Sequence, residues 1–86
     1  MGEYLFFMVY PISGYAYMGS LIKRVKAPSP EEAAGRMARF IKEKFKGYKS
    51  LQDWSVEDIQ DELLTEPGVF QSGDIEVTFP FDEELE

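Results

Sequence analysis

The feature that most constrains the fold of this chain is a helix start signal at residues 29–32, which read Ser-Pro-Glu-Glu. Serine at the cap, proline at the first helical position and glutamate at the third make a capping box. Apolar residues then recur at helical spacing as far as Phe45, and Gly47 is predicted to end the helix in a left-handed conformation. A helix that starts here leaves the chain before Ser29 to form other structure.

Two strands are predicted ahead of this helix. Residues 3–10 (EYLFFMVY) are apolar on both alternating faces, which is typical of a strand that is buried on both sides or central in a sheet. Residues 17–27 are predicted to form a second strand. The Pro, Ser and Gly between the two segments indicate a loop, so a β-hairpin is the simplest connection.

A second helix is predicted to begin after Ser55. Acidic residues follow this serine, and the helix dipole favours them in a first turn. Trp54 is expected to pack on Ile59 as a hydrophobic staple. The Pro-Gly pair at residues 67–68 is predicted to end the helix.

The end of the chain is predicted to add one or two strands. Residues 69–71 indicate a short strand, and residues 75–81 alternate cleanly, with Pro80 marking a strand end or an edge position. The sequence therefore predicts an α+β fold: a small antiparallel sheet of three or four strands with two helices packed on one face, in the order β-β-α-α-β(-β). Residues 1–81 are predicted to form a single domain, and residues 82–86 an acidic C-terminal tail.

The chain contains no His and no Cys, which removes several kinds of chemistry. A Ser-His-Asp or Cys-His arrangement is impossible within it, and so is a zinc site built on cysteine. We therefore expect no catalytic residues, no cofactor and no metal. No apolar run approaches the roughly 20 residues of a membrane span, so we expect no membrane partner and a cytoplasmic location.

Charge is divided sharply along the sequence. All nine basic residues lie between Lys23 and Lys49, whereas the chain from Ser50 onward has twelve Asp and Glu and no basic residue; the total is −7. A long block of one sign sets the electrostatic field around a folded protein and so bears on its partners. A negative surface of this kind could occupy the basic groove of a nucleic-acid-handling protein.

These observations favour a small non-catalytic protein-binding module, either an acidic inhibitor or a regulator, and in one form a nucleic-acid mimic. The short, acidic profile without active-site residues is similar to that of small phage-encoded inhibitor proteins. Its partner would be a protein with a basic surface. The predicted contact residues are the acidic Glu57, Asp58, Asp61, Glu62, Asp74 and Glu76, with Tyr15 and Tyr17 as aromatic anchors.

Three other functions stay open. The basic segment 23–49 could bind nucleic acid through Lys23, Arg24, Lys26, Arg39 and Lys42, although the acidic isoelectric point near 4.5 disfavours this. The carboxylate pairs Glu57/Asp61 and Asp58/Glu62 could divide acid and base roles or hold a divalent cation, but a solvated acidic face is the simpler interpretation. The chain could also be an acidic structural or regulatory subunit of a larger complex.

Overall fold

A computed structural model describes residues 2–12 and 17–80 and shows the predicted α+β architecture. Its antiparallel sheet has four strands, accompanied by two helices in the order β-β-α-α-β-β. The predicted acidic tail, residues 82–86, lies outside the described residues, as does Phe81. The elements are β1 (Gly2–Ile12), β2 (Tyr17–Ala27), α1 (Pro30–Lys44), α2 (Val56–Leu64), β3 (Val69–Ser72) and β4 (Ile75–Thr78), with a short 3-10 turn at Lys49–Leu51 between the helices.

The strand order in the sheet is β2-β1-β4-β3. β1 is central in the sheet, which was one of the two interpretations of its sequence. It pairs antiparallel with β2 from Gly2↔Ala27 to Ile12↔Tyr17. β4 is the other central strand. It ends at Thr78, so Pro80 marks the end of a strand and not an edge position.

The core lies between the helices and one face of the sheet. Alternate strand residues point to the helices because side chains in a strand have a period of two. Those at the centre are fully buried, as is one apolar stripe of each helix. The largest buried side chains are Phe6, Met8, Phe70, Ile75 and Val77 from the sheet and Met37, Ile41, Ile59 and Leu63 from the helices. Leu5, Phe7 and Val9 of β1 point the other way and are only partly buried. β1 is therefore central without being buried on both sides.

The N-terminus of α1 forms half of the predicted capping box. The Ser29 hydroxyl accepts a hydrogen bond from the Glu32 amide at 3.2 Å. The Glu32 carboxylate binds the Arg36 guanidinium instead, at 2.8 Å, one helical turn further on. The serine cap alone thus sets the helix start, and the glutamate forms an ion pair of the i,i+4 type.

The predicted left-handed end of α1 at Gly47 is wrong. The helix ends at Lys44, and the Phe45 amide donates to the Ile41 carbonyl. Phe45 has φ of −117° and ψ of 34°, which are not helical, and its carbonyl accepts from the Tyr48 amide at 2.9 Å, so the chain turns away from the helix before it reaches the glycine. Phe45 is buried and its ring contacts Tyr10. The described glycines with positive φ are Gly68 and Gly73, which lie on either side of β3.

The N-terminus of α2 forms a complete capping box. The Ser55 hydroxyl accepts from the Asp58 amide at 3.0 Å, and the Asp58 carboxylate accepts from the Ser55 amide at 3.4 Å. The Trp54 ring lies edge-on against Phe70 of β3, with ring centroids 4.9 Å apart. This contact ties the start of α2 to the sheet, whereas the expected contact of Trp54 with Ile59 stays a prediction.

Candidate protein-binding surfaces

The four predicted contact residues of α2 lie together on its outward face. Ile59 and Leu63 are buried against the core, with Val56 and Gln60 half-buried beside them. A helix presents the rest of its circumference to solvent when one stripe is buried. That exposed arc carries Glu57, Asp58, Asp61 and Glu62, a set that we call the acidic stripe.

The acidic stripe makes no ion pair with any other described residue. The ion pairs among residues 2–12 and 17–80 are Arg24–Glu3, Arg36–Glu32 and Lys46–Glu43, at 3.5, 2.8 and 3.5 Å. Each joins a basic residue to an acidic residue that precedes Ser50 in the sequence. Although α1 packs beside α2, its basic residues therefore form no ion pair with the acidic stripe among the described residues.

Two residues of the acidic stripe, Asp61 and Glu62, disfavour the helix that carries them. Like charges at i,i+4 destabilise a helix by about 0.2–0.5 kcal/mol per pair, and Glu57/Asp61 and Asp58/Glu62 are two such pairs. The helix dipole favours acids in the first turn but opposes them towards the C-terminus, and the last turn of α2 has no basic residue. Of the four, Asp58 alone has a structural task, in the capping box.

A close contact with α1 sets the position of α2. The Gln60 side-chain amide donates to the Glu31 carbonyl at 2.8 Å. A Cβ atom on Gly35 would lie 3.2 Å from the Gln60 nitrogen, so the glycine provides the room for this amide. Gly35 of α1 therefore accommodates a side chain of the neighbouring helix.

The other predicted contact residues lie elsewhere. Asp74 is exposed in the turn between β3 and β4, and Glu76 is exposed on the sheet face that points away from the helices. Tyr17, at the start of β2, is 68% exposed, which suits a contact residue, but it is not part of α2. Tyr15 lies outside the described residues. Of the predicted contact residues, the four on α2 thus form one group, and Asp74, Glu76 and Tyr17 lie apart from it.

Several of the basic residues have contacts within the fold. The Lys23 ammonium lies 4.5 Å from the centroid of the Phe40 ring, and Lys42 donates to the Leu51 carbonyl at 2.9 Å. Arg36 donates to the Lys26 carbonyl as well as to its own helix partner. Such contacts place much of the positive charge against aromatic rings and carbonyl oxygens.

The residues considered for nucleic-acid binding do not share one face. Lys23 of β2 points to the helices, whereas Arg24 and Lys26 alternate to the opposite side of the sheet, and Arg39 and Lys42 are on α1. A phosphate-binding face needs its cations on one surface. This distribution does not favour the nucleic-acid-binding alternative.

An open apolar groove lies next to the C-terminus of α2, and sequence reasoning missed it. It has a volume of about 580 Å³ and brings together β1, the start of α1, the end of α2 and the segment after β4. Its apolar lining comes chiefly from Tyr4, Pro30, Leu63, Leu64, Phe79 and Pro80. Because these residues are far apart in the sequence, no local pattern could reveal the groove. The exposed Leu64, next to buried Leu63, was the one local signal.

The sheet face that points away from the helices is a second partly apolar surface. Leu5, Phe7 and Val9 of β1 lie there half-buried, and Met18 and Ile22 of β2 are 51% and 42% exposed. Contiguous apolar patches on a protein surface often mark contact sites. This face carries charges of both signs, from Arg24 and Glu76.

Neither a metal site nor a membrane span is found in the part of the chain described. Among residues 2–12 and 17–80, no group of three or more Asp or Glu side chains is placed to hold a metal ion. None of the described helices has both the length and the apolar character required to cross a bilayer. Comparison with protein-family models, with curated proteins and with solved structures gave no match for this chain.

Proposed function

We propose that this chain is a small non-catalytic protein-binding module whose acidic stripe engages a basic surface of another protein. In its most concrete form it inhibits or regulates a nucleic-acid-handling protein in the cytoplasm. One observation carries the proposal: the carboxylates of Glu57, Asp61 and Glu62 are exposed on a firmly held helix, and the described residues offer these carboxylates neither an ion pair nor a hydrogen bond. Asp61 and Glu62 lie beyond the first turn and disfavour the helix that carries them, so a role in binding explains their presence better than a role in folding does.

The charge density of the stripe supports the nucleic-acid-mimicking form. With a rise of about 1.5 Å per residue, Glu57 to Glu62 spans about 7.5 Å along the helix axis, or about one charge per 2.5 Å. Duplex DNA carries about one charge per 1.7 Å of its axis. A basic groove shaped for a phosphate backbone would therefore meet a similar, though shorter, line of negative charge.

The attachment of α2 supports the same function. Its capping box, the Gln60 hydrogen bond to α1 and the buried Ile59 and Leu63 hold the helix in one position. Charges held on a rigid element lose little conformational entropy on binding. Complementary charge mainly speeds association, so binding should weaken as salt rises.

The test compares two variants of equal net charge. The stripe variant carries Glu57→Gln, Asp61→Asn and Glu62→Gln, and keeps Asp58 because that residue caps the helix. The control variant carries Glu3→Gln, Glu32→Gln and Glu43→Gln, which are exposed, lie outside α2 and are not among the predicted contact residues. Each variant removes three negative charges, so any difference between them reports position and not total charge.

Wild-type protein and both variants are immobilised and exposed at low salt to a lysate of the cells in which the protein occurs. Each retained protein is then purified, and its binding is titrated by calorimetry. We expect the stripe variant to bind a retained protein at least roughly tenfold more weakly, and the control variant to stay within about twofold of wild type. Equal weakening by both variants, no weakening by the stripe variant, or no retained protein would contradict the proposal. Competition by duplex DNA would identify the nucleic-acid-mimicking form, whereas binding unaffected by DNA would restrict the function to another basic surface.

A further inference from the structure

The groove beside the C-terminus of α2 has the character of an anchor pocket. We propose that it binds an apolar side chain of the partner, most favourably an aromatic one, within a segment whose neighbouring residues are Lys or Arg. This inference rests on the proposed function of the acidic stripe and adds to it the class of sequence that the partner presents. The volume of about 580 Å³ falls within the range of roughly 300–1,000 Å³ that is common for ligand sites.

The floor of the groove is rigid and apolar. The Phe79 ring is nearly buried and stacks on Phe6 with centroids 4.2 Å apart, and Tyr4 meets it at a tilt with centroids 6.2 Å apart. Leu63, which is 1% exposed, closes the floor on the side of α2. An incoming ring would therefore meet aromatic and aliphatic carbon that is already fixed in place, and little ordering would be required.

The groove is continuous with the acidic stripe. Leu64 lines it and is 38% exposed. This leucine lies three residues after Asp61, so the two side chains are neighbours on the helix surface. A partner segment that contacts Asp61 would thus reach the groove directly.

The charged residues that line the groove are Glu31 and Glu66, and both are exposed. The carboxylates attract cations next to the apolar floor and disfavour an acidic ligand. The complementary ligand therefore has an apolar side chain with positive charge on its flanks. The acidic residues 82–86 of the chain itself lack that charge.

The experiment uses two short synthetic peptides, in which a single Phe or a single Ala is flanked on both sides by Lys and Arg. Each peptide carries a fluorophore, and its binding is followed by anisotropy at low salt. Four proteins are compared: wild type, Leu64→Ser, the stripe variant, and Ile22→Ser as a control. Ile22 is as exposed as Leu64, at 42%, but lies on the sheet face away from the helices. Circular dichroism confirms that each protein is folded.

We expect wild type to bind the Phe peptide roughly tenfold more tightly than the Ala peptide, because the ring is removed from water. Leu64→Ser should remove most of this preference and leave the Ala peptide unaffected, and Ile22→Ser should change neither. The stripe variant should weaken both peptides by a similar factor, because it removes charge and leaves the groove intact.

Different results would overturn the two proposals. Equal binding of the two peptides by wild type, or no binding of either, would overturn the groove proposal. A preference lost in Ile22→Ser and kept in Leu64→Ser would also overturn it, by moving the apolar site to the open sheet face. The proposed function fails separately, if the stripe variant binds both peptides as wild type does and retains every protein captured from lysate.

Discussion

Replacing Gly35 by Ala measures how closely α2 is held against α1. Alanine in a helix interior is favoured over glycine by about 1 kcal/mol. The new methyl carbon would lie 3.2 Å from the Gln60 side-chain nitrogen, which is tighter than an ordinary contact, so the amide must shift by a few tenths of an ångström. That nitrogen donates to the Glu31 carbonyl, and a typical hydrogen bond of this kind contributes about 0.5–1.5 kcal/mol. The two effects are of similar size and opposite sign, so Gly35→Ala should change the free energy of unfolding by less than about 0.5 kcal/mol.

A double-mutant cycle with Gln60→Ala separates the two effects. When Gln60 is shortened, nothing opposes the new methyl group, and Gly35→Ala should then stabilise the protein by about 1 kcal/mol. The coupling free energy between the two sites should therefore be about 0.5–1.5 kcal/mol, within the usual range for residues in contact. Urea unfolding followed by circular dichroism measures all four proteins. If Gly35→Ala gives the same change with and without Gln60, the contact does not constrain α2 and the reasoning is refuted.

Two matched pairs of substitutions test the fold around the groove and the stripe. Gly68→Ala should cost at least about 3 kcal/mol in thermal or urea unfolding, because Gly68 has φ of +78° and a Cβ there would overlap the Phe79 carbonyl oxygen. Gly47→Ala should change the free energy of unfolding by less than about 0.5 kcal/mol, because nothing lies within 4 Å of a Cβ at that position. Equal costs would contradict the strained geometry at Gly68. Ile59→Ala should cost about 2–5 kcal/mol because it opens a cavity under α2. Leu64→Ala should cost less than about 1 kcal/mol because that side chain is already exposed. A large cost at Leu64 would show that it belongs to the core.

The groove and the stripe depend on α2 through different contacts. The stripe is the outer side of the helix, and it needs the helix to form and to keep its rotation about its axis, which Gln60 and the buried Ile59 determine. The groove needs the C-terminus of α2 to stay near Phe79. The Phe79 amide donates a hydrogen bond to the Gly68 carbonyl at 2.8 Å, which keeps the segment after α2 next to Phe79. Gln60→Ala should therefore affect binding through the stripe more than binding in the groove.

The local signals in the sequence were strong enough to predict most element boundaries. Serine caps at Ser29 and Ser55 act through hydrogen bonds to amides only three residues away, so sequence neighbours determine where α1 and α2 begin. Clean alternation from Ile75 predicted the start of β4, which ends at Thr78, three residues before the predicted range does. The prediction was wrong at Gly47, because the chain leaves the helix two residues earlier, at Phe45, which packs on Tyr10, a residue distant in the sequence.

The candidate surfaces, too, could be predicted only in part from the sequence. Exposure of the four carboxylates on α2 follows from helical periodicity around Ile59 and Leu63, so the acidic stripe could be predicted from the sequence. Alternation along residues 75–78 likewise places Glu76 opposite the apolar Ile75 and Val77. The pairing of Glu76 with Val9 of β1 could not be predicted, because it joins residues distant in the sequence.

The sequence by itself determined the fold class, the two helix starts, the division of charge and the acidic side of α2, because each depends on interactions between residues close along the chain. Tertiary structure decided the central position of β4, the contacts that engage Lys23 and Lys42, and the groove between Tyr4, Leu64 and Phe79. These features arise from contacts between residues distant in the sequence, and such contacts exist only when the chain is packed in three dimensions.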